Sequence, residues 1–297
     1  MNTIFNSRLL NRLLPRYLEP TERPEDDLPW PPEIGMLSRP RAGYRPYHLP
    51  FRCRWLQNNP EDNCILQASD WADLQQFYQS LRRAAIAGNN NAVNDLGWLL
   101  LNTPVSSAEL AGQLLRMAAR AGSSEALYNL AEHYLHGRTT TANIDLALNH
   151  YQRAAGTLPE AATRLGRLYL RGDYRHPLFT QNDAAARYWF QQGHAASYCW
   201  ASFYLSLYWL HHSAPHAAKD VWLQRMERLA LKGCLYLTFS ASHALALYYE
   251  RHIYSLPHAS WEYHDWLDLS DHIGTRLDAW EQMLVEPGRP HLVYSSN

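Results

Sequence analysis

The chain has 297 residues, 46% of them hydrophobic, which is enough to bury one core or a series of small ones. Its formal net charge of −1 excludes a broad electrostatic attraction to nucleic acid or anionic lipid. No apolar run approaches the ~18 residues that a transmembrane helix needs, so the sequence predicts no membrane span.

The first twenty residues, MNTIFNSRLLNRLLPRYLEP, predict a short amphipathic helix. The continuous apolar stretch of a secretion signal, about 7–15 residues, is missing, and we therefore expect a cytoplasmic protein. We expect this helix to dock on the domain that follows, with contact to a membrane surface as the alternative. Its apolar side carries Leu9, Leu10, Leu13, Leu14 and Tyr17.

Residues 1–66 are predicted to form a proline-rich arm. Ten of the 17 prolines lie between Pro15 and Pro60, a density that forbids long helices and favours extended segments. Apolar residues such as Trp30, Met36 and Phe51 are too numerous for a solvated tail, so we expect the arm to lie along the next domain. Its cysteines, Cys53 and Cys64, are expected to be free thiols, and a disulfide between them is the alternative in an oxidising compartment.

From residue 70 onward the apolar residues recur with helical spacing. The segment DWADLQQFYQSLRRAAIAG (70–88) has Asp70 as a candidate N-cap and a glycine at its end. Small-residue tracts at 84–88, 118–122 and 153–156 each precede a helix in which leucine stands beside a small residue. These pairs begin at residues 96, 130 and 165, with spacings of 34 and 35 residues. That period is typical of stacked helix pairs.

The second helix of each pair is predicted from NIDLALNHYQRAAG (143–156) and QNDAAARYWFQQG (181–193), and residues 218–233 are a looser copy. One pair cannot bury its own apolar face, so neighbouring pairs must stack. We expect Gly97, Ala131 and Gly166 to let the two helices of a pair approach closely. Tyr134 and Tyr169 are expected to occupy equivalent positions one repeat apart.

The pattern A-x-x-x-L-G-x-x-Y-x-x-G, followed by D-x-x-x-A-x-x-W/Y and A-A-x-x-G, resembles the Sel-one-like repeat, a relative of the tetratricopeptide repeat. The resemblance covers roughly residues 70–235 and is strongest over 122–193. It implies an all-α fold, a right-handed α-solenoid of stacked helix-turn-helix repeats with a proline-rich N-terminal arm. The predicted domains are the arm (1–66), the repeat solenoid (67–255) and C-terminal capping helices with a tail (256–297).

Fifteen histidines raise the question of a metal site. His133 and His136 lie three residues apart, and HHSAPH (211–216) groups three more. A zinc site needs three or four ligands, HExxH is absent, and the nearest carboxylate, Glu132, is expected to point away from both histidines. We predict no metal and no cofactor.

The acidic segment DWLDLSDH (265–272) aligns Asp265, Asp268 and Asp271 on one helix face, with His272 beside them. Such carboxylates could serve acid–base catalysis, but a solvated helix face is the commoner cause of the pattern. G-x-S-x-G, the P-loop and G-x-G-x-x-G are all absent. We predict that the chain is not an enzyme, with a metal- or carboxylate-dependent hydrolase as the less favoured alternative.

Arginine and tryptophan indicate a binding surface more clearly. Only two of the 27 basic residues are lysines, and there are 11 tryptophans; GC-rich coding would produce the same arginine excess. In helix-pair solenoids the first helices usually line the concave face, and Arg and Trp concentrate binding energy at protein interfaces. Burial of the aromatic segment 197–210 between neighbouring helices and a plain salt-bridged arginine surface are the alternatives. The predicted partner-binding residues are Asp95, Trp98, Glu132, His136, Arg164, Arg167, Arg171, Trp200 and Phe203.

The resemblance implies a non-enzymatic protein-binding scaffold. Degenerate repeats and a separate arm suit one dedicated partner better than many short peptides. The leading specific hypothesis is a bacterial immunity protein that neutralises a secreted, lipase-like toxin of type VI secretion. The alternative is a general adaptor or signalling scaffold.

Overall fold

The computed structural model describes residues 7–17, 36, 38, 68–102, 108–137, 141–171, 181–212, 216–232, 235–252, 262–273 and 275. All regular structure in these residues is helical, which confirms the all-α prediction. The helices are α1 (Ser7–Leu13), α2 (Ala68–Ile86), α3 (Asn90–Asn102), α4 (Ala108–Arg120), α5 (Ser124–His136), α6 (Ile144–Ala155), α7 (Pro159–Arg171), α8 (Asp183–Ala195), α9 (Cys199–His211), α10 (His216–Lys232) and α11 (Leu235–Arg251). Residues 262–273 form a further helix, α12.

The chain divides into two compact units, the first covering Met1–Thr157 with Pro290–Asn297, and the second Leu158–Arg289. The predicted domain boundaries at residues 66 and 255 lie outside the described residues and stay predictions. None of the described helices is long and apolar enough to cross a bilayer.

Consecutive helices pack as pairs, α3 with α4 and α5 with α6 in the first unit, and α7 with α8 in the second. Small residues make this packing close. A Cβ built on Gly97 would lie 2.7 Å from Leu115 Cγ, and one on Gly166 would lie 2.5 Å from Phe190 Cδ1. Ala131, the equivalent residue of the middle pair, is fully buried. The prediction of close approach is confirmed at Gly97 and Gly166, and at Ala131 it stays a prediction.

The second helices α6 and α8, one in each unit, both begin with an asparagine N-cap. The Asn143 side chain caps α6 by accepting a hydrogen bond from the Leu146 N–H, and Asn182 caps α8 in the same way. The Asn143 N–H donates to the Tyr134 carbonyl at 2.8 Å. The Asn182 N–H donates to the Tyr169 carbonyl at 2.9 Å, so the two tyrosines stand at equivalent main-chain positions.

Asp70 is not the N-cap of its helix. Helix α2 begins at Ala68, two residues earlier, and therefore contains Asp70 in its first turn. The sequence pattern therefore located this helix but misplaced its first residue by two or more positions.

Helix α1 docks on the first unit through its leucines. Leu10 and Leu14 are buried, and α1 contacts α2. The Tyr78 hydroxyl donates to the Pro15 carbonyl at 2.6 Å, just beyond the end of the helix. Burial at this contact raises the pKa of Tyr78 to about 12. Cys53 and Cys64 lie outside the described residues.

Residues in the left-handed conformation close the turns before α3, α5 and α9. Gly88 and Gly122 have φ of 93° and 89° and close equivalent turns, where glycine carries no steric cost. Ser197 takes this role between α8 and α9, with φ of 60°. It is the one described non-glycine residue with positive φ, and a side chain in this conformation costs about 1–2 kcal/mol.

We expect Ser197→Gly to stabilise the second unit by roughly 0.5–1 kcal/mol, because it relieves this strain. Ser240→Gly, inside α11, is the matched control and should destabilise, since glycine is a poor helix former. Chemical denaturation of the purified variants measures both changes. A loss of stability in both variants would contradict the strain at Ser197.

Candidate partner-binding site

The nine predicted residues lie on the first helices of successive pairs. Helix α3 carries Asp95 and Trp98, α5 carries Glu132 and His136, α7 carries Arg164, Arg167 and Arg171, and α9 carries Trp200 and Phe203. The residues of α3 and α5 belong to the first unit, and those of α7 and α9 to the second.

In the first unit three of the four predicted residues are buried: Asp95, Trp98 and Glu132. His136 is partly exposed, and its Nε2 lies 3.2 Å from Glu132 Oε2. The expectation that Glu132 points away from the histidines is therefore wrong. Residues four apart share a helix face, which brings this carboxylate to His136.

Asp95 contacts the arm. Its Oδ1 accepts a hydrogen bond from the Ser38 N–H at 2.7 Å, and another from Asn94 Nδ2 at 3.0 Å. Asn94 in turn donates to the Met36 carbonyl at 3.2 Å, and the amide of Asn129 pairs with the main chain of the same residue. The face of α3 and α5 thus holds a segment of its own chain through a buried polar network.

Sequence reasoning missed Asn94 and this segment. Hydrophobic periodicity cannot identify a buried asparagine, because the period is defined by apolar residues. Asn94 and Asn129 bond directly, Asn129 Nδ2 to Asn94 Oδ1 at 2.9 Å, but their separation of 35 residues differs from the 34 that relate Gly97 to Ala131, so the repeat pattern does not pair them.

In the second unit one of the three predicted arginines, Arg167, lies over an aromatic ring. The Arg167 guanidinium lies 5.3 Å from the centroid of the Tyr204 ring, within cation–π range. The Tyr204 ring is 6.3 Å from that of Trp200 at a tilt of 32°. Arg164, Arg167 and both aromatic residues are half-buried, whereas the Arg171 side chain lies outside the described residues. We call Arg164, Arg167, Trp200 and Tyr204 the arginine–aromatic face.

Phe203 belongs to the core of the second unit. It is 6% exposed and packs in a cluster with Met226, Leu237 and Leu245. Trp200 packs against the rim of the same cluster. Burial between neighbouring helices, the alternative considered for this aromatic segment, therefore describes Phe203.

A second arginine–tryptophan arrangement in this unit was not predicted. The rings of Trp209 and Trp222 stack at 6.3 Å, with Arg187 over the first and Arg225 over the second. Burial, with a smaller effect of the Arg225 charge, lowers the pKa of the neighbouring His194. The four stacked side chains lie on three helices, α8, α9 and α10, which no local pattern connects.

The acidic segment is a solvated helix face. Asp265, Asp268, Asp271 and His272 are all exposed on α12. In the described part of the chain no group of three or more His, Cys, Asp and Glu side chains is arranged to hold a metal ion.

Comparison with protein families matches residues 92–123, 124–155 and 159–193 to the Sel1 repeat. Three segments of the chain therefore match the Sel1 repeat. They correspond to the pairs α3–α4, α5–α6 and α7–α8, which confirms the resemblance read from the sequence. The pairing continues beyond the third repeat, since α9 also packs against α10.

One solved structure shows the same class of fold, and a second is reported beside it. A Sel1 repeat protein from Oxalobacter formigenes is 20% identical with a TM-score of 0.52, over 69% of this chain and 82% of that chain. A protective antigen present in uropathogenic Escherichia coli strains, displaying an SLR fold, is 13% identical with a TM-score of 0.44, over 75% of this chain and 61% of that one. The first likeness confirms the predicted class of fold, stacked helix-turn-helix repeats. No curated protein matches the chain significantly.

The three Sel1 repeats place different residues at one position. Gly97, Ala131 and Gly166 are equivalent, so Asp95, Asn129 and Arg164 are equivalent as well, two residues before them. In Sel1 repeats one and two this position bonds to the arm. In repeat three it carries a half-buried arginine.

Proposed function

We propose that the chain is a non-enzymatic scaffold that holds one dedicated protein partner. Sel1 repeat proteins are protein-interaction scaffolds. The observation that carries the proposal is the arginine–aromatic face, where Arg167 lies over Tyr204 and beside Trp200. Arg, Trp and Tyr are enriched among the few residues that carry most of the binding energy at protein interfaces.

The chemistry of this face suits a partner with carboxylates beside apolar groups. A guanidinium pairs with a carboxylate in a bidentate manner while its plane rests on an aromatic ring. Arg164 and Arg167 supply the charge, and Trp200 with Tyr204 supplies the apolar area. We include His136 and Arg171 as proposed contacts, whereas Asp95, Trp98, Glu132 and Phe203 are buried and would support neighbouring side chains.

Within this class the specific proposal is a bacterial immunity protein that neutralises a secreted toxin, with a type VI secretion lipase as the candidate. Support comes from the match to the Sel1 repeat, which ends at residue 193 although helix pairs continue, and from the dedicated arm. Both features suit one fixed partner. Co-expression with a toxin gene found next to this gene tests the idea. Rescued growth supports neutralisation, and undiminished toxicity of every neighbouring toxin contradicts it.

We expect Arg164→Glu/Arg167→Glu to weaken partner binding by at least about 2 kcal/mol, or roughly 30-fold in Kd, because two interface cations become anions. The partner is identified by mass spectrometry after capture on the intact chain, then purified and titrated by calorimetry. Arg153→Glu/Arg228→Glu is the matched control, with the same charge change at exposed positions. Equal affinity of the two double variants would exclude the arginine–aromatic face.

A further inference from the structure

We infer that the face of α3 and α5 is a binding site for the main chain of an extended peptide, and that residues 36 and 38 of the arm occupy this site in cis. The site consists of Asn91, Asn94, Asp95 and Asn129. A partner's peptide segment would bind there by displacing the arm.

Asn129 makes the central contact. Its Oδ1 accepts a hydrogen bond from the Met36 N–H at 2.6 Å, and its Nδ2 donates to the Met36 carbonyl at 2.8 Å. A side-chain amide that pairs with both main-chain groups of one residue recognises peptide backbone whatever side chain it carries. Asn94 Nδ2 adds a second donor to the same carbonyl.

Ser38 makes the second contact, two residues along the arm. Its N–H donates to Asp95 Oδ1 at 2.7 Å, and its hydroxyl donates to the Asn91 carbonyl at 3.1 Å. Residues two apart present their main-chain groups to the same side of an extended chain. Asp95 and Asn129 are equivalent positions of consecutive Sel1 repeats, and they bond to Ser38 and Met36, which are alternate residues of the segment.

Burial makes these contacts specific for a peptide. Asn94 and Asp95 are 0% exposed and Asn129 is 2% exposed. Buried amides and carboxylates need hydrogen-bond partners, and main-chain N–H and C=O groups supply them in a fixed arrangement. A competing segment must offer an N–H and a C=O at one residue and an N–H two residues later. Proline at either position is therefore excluded, and a small hydroxyl residue is favoured at the second.

The tether explains why the arm holds this site. A covalently attached segment has an effective concentration in the millimolar range, so a free peptide with the same contacts competes poorly. Loosening the arm converts a closed site into an open one. The residues of this site differ from those of the arginine–aromatic face. An experiment that contradicts one of the two proposals therefore leaves the other standing.

The test uses full-length Met36→Pro/Ser38→Pro, which removes both N–H donors of the arm. Met36→Leu, which keeps its main-chain groups, is the control. The probe is a fluorescein-labelled peptide with the sequence of residues 33–41, EIGMLSRPR. We expect the double-proline variant to bind it at least about tenfold more tightly than wild type or Met36→Leu in fluorescence anisotropy. Equal affinity for all three proteins would overturn the proposal.

Two further measurements test whether the peptide binds at the face of α3 and α5. The same peptide with proline at its fourth and sixth positions should not bind the double-proline variant, and adding Asn129→Leu to that variant should abolish binding, with folding checked by circular dichroism. In the wild-type chain, amide hydrogen exchange at Met36 and Ser38 should be at least about tenfold slower than in the free peptide. Binding that survives the proline peptide, or exchange at the free-peptide rate, would overturn the proposal even if a variant fails to fold.

Discussion

Gly166→Ala should destabilise the second unit by about 1–3 kcal/mol, although alanine is the better helix former by about 1 kcal/mol. The added methyl group would lie 2.5 Å from two carbons of the Phe190 ring. That ring is fully buried, so it cannot move into solvent to make room. Either α7 and α8 separate or the ring leaves its rotamer, and both responses lose packing. Denaturation with urea or guanidinium measures the change.

Gly156→Ala is the matched control for this effect. Gly156 has φ of −60°, and the nearest atom to an added Cβ is a carbonyl oxygen at 3.5 Å, which is ordinary contact. We therefore expect it to be neutral or stabilising by up to about 1 kcal/mol. Adding Phe190→Leu to Gly166→Ala should cost less than the two separate losses combined, because the smaller side chain leaves room for the methyl group. Equal stability of Gly166→Ala and Gly156→Ala would contradict the close approach.

Leu130→Ala should destabilise the first unit by about 2–5 kcal/mol, the range for truncating a fully buried leucine. Leu130 is 1% exposed within the second Sel1 repeat, and the cavity left by its truncation would have no access to solvent. Leu146 belongs to the same repeat but is 43% exposed on α6. The matched substitution Leu146→Ala should cost less than about 1 kcal/mol.

Calorimetry or denaturant titration of both variants measures this difference within one repeat. A similar loss of stability in both variants would mean that the face of α5 that carries Leu130 is not the core of this repeat. A loss confined to Leu130→Ala supports the repeat register on which the equivalence of Asp95, Asn129 and Arg164 depends.

The sequence by itself determined the repeat architecture, and the reason is locality. In two of the pairs a small residue of the first helix lies against a large side chain of the second, and the small residues Gly97, Ala131 and Gly166 recur at this position with a readable period. The same reasoning located Tyr134 and Tyr169, because they precede equivalent turns. A packing requirement that acts within one helix pair recurs in every pair, and the sequence therefore shows it as a periodic pattern.

Only the tertiary structure decided which residues of the first helices reach the surface. Asp95 and Ser38 are 57 residues apart, and Met36 and Asn129 are 93 apart, so no helical period relates them. Phe203 and Trp200 lie three residues apart on α9, yet Phe203 enters the core and Trp200 stays at its rim, because the helices packed against α9 cover Phe203 more completely. Burial by a segment distant in sequence, or by a neighbouring helix, depends on contacts that no local pattern records. The surface residues of the first helices could therefore be identified only from the folded structure.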